Sequence, residues 1–78
     1  MCVKIDEKKS TAEIRISKNF YPKEVVDKAL KSFKGVEISK REEETYFHIS
    51  MKAENADVER LALEFCNLLL AILKGSAL

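Results

Sequence analysis

The sequence predicts an α+β fold of ββαββα order, a four-stranded antiparallel sheet with two helices on one face. Three observations carry this expectation. Two pairs of short runs alternate apolar and polar residues with period two, one near the start and one in the middle of the chain. Two other segments, Val25 to Phe33 and Val58 to Leu73, repeat apolar residues at helical spacing. Charged or turn-forming stretches separate all of them.

Val3 and Ile5 alternate with polar neighbours, and Asp6-Glu7-Lys8-Lys9-Ser10 reads as a polar turn. Ala12, Ile14 and Ile16 then alternate with Glu13, Arg15 and Ser17, which completes a hairpin whose short first arm is an edge guarded by lysines. Tyr21-Pro22 marks a break, and proline suits a first helical turn because its missing N–H has no partner there. Val25, Val26, Ala29, Leu30 and Phe33 form one apolar stripe opposite a lysine-rich face, and Gly35 stands where a left-handed residue would end the helix.

Val36 and Ile38 open a third strand. Lys40-Arg41-Glu42-Glu43-Glu44 reads as the next turn, and Thr45 to Met51 as a fourth strand with Phe47, Ile49 and Met51 on one face. The last helix is expected to start at an Asn55 cap, bury Val58, Leu61, Ala62, Phe65, Leu69, Ile72 and Leu73, and stop at Lys74-Gly75. Inserting the fourth strand between the second and third makes every pairing antiparallel and gives the order first, second, fourth, third. This is a ferredoxin-like split β-α-β layout with its outer strand supplied from the N-terminus.

Residues 1–78 suffice for a single domain and leave it short of core, because so small a chain buries only about 60% of its unfolded surface. Such domains make up the shortfall with disulfides, a metal or a partner. Two cysteines, Cys2 and Cys66, do not make a disulfide framework. His48 is the sole histidine and no paired ligand spacing exists, so no metal or cofactor is expected. A partner is the remaining route.

With 14 Lys+Arg against 13 Asp+Glu, the net charge of +1 does not favour phosphate-driven nucleic-acid binding. The longest apolar run, Leu68 to Leu73, is far below the roughly 20 residues of a membrane span. No signal peptide is legible, and a cytoplasmic, reduced protein is expected.

The second helix carries more apolar surface than one core needs. Leu63, Cys66 and Leu70 lie beyond its main stripe with Asn67 beside them, and are expected to form an oligomer or partner interface. Asn67 costs helix propensity, which suggests a hydrogen bond across an interface or to Tyr21. The outer sheet face supplies the alternative, a small nucleic-acid or ligand-binding module using Arg15, Arg41, Tyr46 and His48. No catalytic residue is expected, since Cys66 sits mid-helix among leucines, where burial quenches a thiol.

Phe20-Tyr21-Pro22-Lys23-Glu24-Val25-Val26, then a helix, an alternating strand pair and Leu61-Ala62-Leu63-Glu64-Phe65-Cys66-Asn67-Leu68-Leu69-Leu70, resembles a known family. It is the small D protein of the His-Xaa-Ser peptide-modification system (HxsD), and the resemblance runs from about Thr11 to Lys74. It implies a non-catalytic accessory protein that presents a peptide to, or contacts, a radical-SAM maturase of ribosomally made peptides.

Overall fold

A computed structural model describes residues 2–33, 35–54 and 57–76. The strands are β1 (Cys2–Asp6), β2 (Thr11–Ser17), β3 (Glu37–Glu42) and β4 (Tyr46–Lys52), and the helices are α1 (Lys23–Ser32) and α2 (Val58–Ser76). One open antiparallel sheet has the order β1-β2-β4-β3, the ββαββα arrangement the periodicity predicts.

Alternation sets the faces. In β2, Ala12, Ile14 and Ile16 are buried, and in the facing β4 so are Phe47, Ile49 and Met51. The pairs Ala12 with Met51, Ile14 with Ile49 and Ile16 with Phe47 sit directly opposite, so the inner face is continuous across the two central strands. Val25, Val26 and Ala29 of α1 and Val58, Ala62, Phe65 and Leu69 of α2 close over it.

Local chemistry accounts for the element ends. Asp6 Oδ1 accepts the Lys9 N–H at 3.3 Å, and Ser10 turns the first hairpin with φ 54. Pro22 is the residue before α1 proper, not in its first turn; its extended backbone (ψ 153) still lets its carbonyl accept from Val25 and Val26 at 3.1 and 3.3 Å. The expected Asn55 cap lies outside the described residues. Asp57 caps α2, its Oδ1 accepting the N–H groups of Glu59 at 3.1 Å and Arg60 at 3.3 Å.

Five expected boundaries shift. α1 ends at Ser32 with Phe33 extended behind it, so Gly35 is not the residue that terminates the helix, although its φ of 81 does need glycine. Val36 precedes β3, and Thr45 precedes β4. Lys40, Arg41 and Glu42 belong to β3, not to a turn. Inward charge is tolerated there because Lys40 Nζ meets Asp27 Oδ1 of α1 at 2.7 Å and Lys18 Nζ meets Glu42 Oε2 at 2.8 Å. Finally, α2 continues through Gly75 to Ser76. A glycine stops a helix only where the backbone turns left-handed, and Leu69, Ile72 and Leu73 pack this last stretch against the core.

Candidate functional site: the outer flank of α2

The long helix α2 contacts α1 and strands β1, β2 and β4. Its inward stripe is fully covered, with Ala62, Phe65 and Leu69 buried. Phe65 meets Phe33 edge to face, ring centroids 5.5 Å apart, so α1 occupies one flank. The other flank begins at Glu59, which shares a small hollow with Ile5, Asp6, Glu7 and Lys8 and so lies beside β1. Residues 59, 63, 66 and 70 follow one another at i, i+4, i+7 and i+11 along a single helix face, which places Leu63, Cys66 and Leu70 on the β1 side.

That flank is open. Leu63 is 55% and Leu70 43% exposed, while Cys66 between them is half-buried and Asn67 is exposed. Burial pushes the Cys66 thiol up, away from the reactive thiolate. Val3 of β1 adds a further apolar group at 39% exposure. The expected interface residues thus come together on one strip. Asn67 is free of Tyr21, which packs against the core instead.

The outer sheet face brings Arg15, Arg41, Tyr46 and His48 together but occupies them with one another and with acids. Arg15, His48 and Arg41 stand in one row across β2, β4 and β3. The Arg15 guanidinium stacks 4.6 Å from the Tyr46 ring centroid. His48 Nε2 lies 3.3 Å from Glu13 Oε1, and Arg41 Nε donates to Glu43 Oε1 at 2.5 Å. A hollow of about 640 Å³ opens on this side of the sheet, yet none of those four residues lines it. Its charged rim balances Lys4, Lys9 and Lys52 against Asp6, Glu13 and Glu37, so it selects no sign of ligand.

No family model, curated protein or solved structure matches the chain.

Two features escape the sequence reading. Phe20 is the most exposed large apolar side chain among the described residues, at 73%. Its membership in neither a strand alternation nor a helix stripe was the available signal. The ring centroid of Phe47, the buried aromatic of β4, lies 5.3 Å from Lys18 Nζ and 5.6 Å from Lys40 Nζ, and the turn expected at Lys40 would have pointed that second cation into solvent. Among the described residues no three His, Cys, Asp or Glu side chains are grouped to hold a metal ion, and no helix is long and apolar enough to cross a membrane.

Proposed function

We propose that this chain is a small non-catalytic interaction protein that works through the outer flank of α2. The carrying observation is that Leu63 and Leu70 stay about half exposed, beside a buried stripe of Val58, Ala62, Phe65 and Leu69 that already closes the core. Covering both returns on the order of 2 kcal/mol, a useful gain for a domain with so small a core. Two further observations support a contact role over a catalytic one. No polar or charged side chain among the described residues is buried, and burial raises the thiol of Cys66, the cysteine within that flank, away from its thiolate.

The resemblance to the small D proteins of the His-Xaa-Ser system supplies the setting, an accessory partner of a radical-SAM peptide maturase in the cytoplasm. Tyr21 and the Glu64-Phe65-x-Asn67 cluster carry that resemblance, and Asn67 lies on the proposed face. The test is capture of a radical-SAM peptide maturase, sought first in the neighbourhood of this chain's gene, using the wild type and a Leu63→Glu/Leu70→Glu variant. Retention by the wild type and loss by the variant is the expected result. Equal capture by both, or none by either, overturns the proposal.

A further inference from the structure

We infer that the occupant of the α2 flank is a second copy of this chain, lying antiparallel across it about a two-fold axis between Cys66 and Asn67. The inference rests on α2 being the docking face and adds who docks and in what orientation. Leu63, Cys66, Asn67 and Leu70 stand at i, i+3, i+4 and i+7, a diamond on the helix surface whose centre falls between Cys66 and Asn67. Four residues before Leu63 comes Glu59, and four after Leu70 comes Lys74. Both are exposed, and neither has an ion-pair partner among the described residues.

The strip is therefore symmetric in shape and opposite in charge at its two ends. An antiparallel copy sets Leu63 against the partner's Leu70, and Leu70 against the partner's Leu63. It also sets Glu59 opposite the partner's Lys74 and Lys74 opposite the partner's Glu59, so both charges are answered by one rotation. A parallel copy would bring like charges together at both ends. Glu59 and Lys74 are about 22 Å apart along the helix axis, so the two ion pairs bracket the leucines. Asn67, exposed and beside the axis, is placed to hydrogen-bond across it and to hold the register, as a lone polar residue does in a helix seam.

Among the described residues, both neighbours of α2 lie to the side of this approach. α1 is engaged on the opposite flank through Phe33 and Phe65, and the near flank borders the open edge of β1 with its half-exposed Val3. The pairing would cover that edge, which is otherwise left as a template for wrong associations.

Charge exchange tests the orientation. In analytical ultracentrifugation the wild type should self-associate, and Glu59→Lys and Lys74→Glu alone should each associate about tenfold more weakly or worse. An equimolar mixture of the two variants should recover the dimer, because each then supplies both charges that the other lacks. A wild type that is monomeric at every concentration, or a mixture no more associated than its components, overturns the inference. A monomer that still needs Leu63 and Leu70 to hold a maturase would overturn self-pairing while upholding the docking face. A dimer with recovery on mixing upholds self-pairing even if no maturase is captured.

Discussion

Phe33 meets Phe65 edge to face at 5.5 Å with ring planes at 86°, joining the C-cap of α1 to the middle of α2. This contact decides which flank of α2 is closed by α1 and which is left to solvent. Phe65 is fully buried, whereas Leu63, two residues earlier, is more than half exposed.

Phe65→Ala should therefore cost about 3–5 kcal/mol, the range for truncating a buried aromatic. In a domain of this size that is comparable to the whole folding free energy. Chemical denaturation followed by circular dichroism should show a chain largely unfolded at 37 °C. Leu63→Ala, in contrast, should leave the midpoint of a dilute sample nearly unchanged.

The cap at Asp57 gives a second prediction. Its carboxylate accepts from Glu59 and Arg60 and also answers the positive end of α2. Asp57→Ala should lose about 1 kcal/mol in denaturant titration, and Asp57→Asn much less, since the amide oxygen preserves the hydrogen bonds. Equal losses for both would point to charge instead of capping.

Asp27 links stability to pH. The hydrogen bond from Lys40 holds its carboxyl below the usual carboxylate range, against a smaller opposing push from burial. A depressed folded value means that the contribution is present above the unfolded value and disappears as pH falls through the folded one. The pair is partly exposed and solvent-screened, so it should be worth less than about 1 kcal/mol. Asp27→Asn should be slightly less stable than the wild type at pH 7, with the gap closing in the acid range below the usual carboxylate value. A gap that persists there would contradict the ion pair.

Cys66 tests whether the flank holds a reactive group. With its thiol raised by burial, a Cys2→Ser chain should react with iodoacetamide at pH 7 more slowly than free cysteine does. The rate should climb as pH is raised toward 9. Reaction faster than free cysteine would mean an activated thiol and would reopen an enzymatic role.

Much of the fold was legible because burial follows period. Ala12, Ile14 and Ile16, and Phe47, Ile49 and Met51, alternate as the core requires, and the strand order followed from making all pairings antiparallel. The misread positions are those where charge was taken to mean exposure. Lys40 and Glu42 lie within β3 because their backbones pair with Ile49 and Phe47 of β4, while Asp27 and Lys18 meet the two charges, partners that no local pattern in the sequence announces. Gly35 and Gly75 misled for the complementary reason, since a glycine permits a helix end without imposing it. The flank at Leu63 and Leu70 was readable as an excess over the main stripe. That it borders β1, with Glu59 at its head, needed the packed structure.

The most direct measurement is sedimentation equilibrium of the wild type and of Leu63→Glu/Leu70→Glu over a wide concentration range, with circular dichroism on both. The wild type should rise from 8.9 kDa toward twice that mass, and the variant should stay at 8.9 kDa with the same spectrum and the same dilute-limit melting midpoint. Identical masses for the two folded proteins at every concentration would contradict self-pairing through α2.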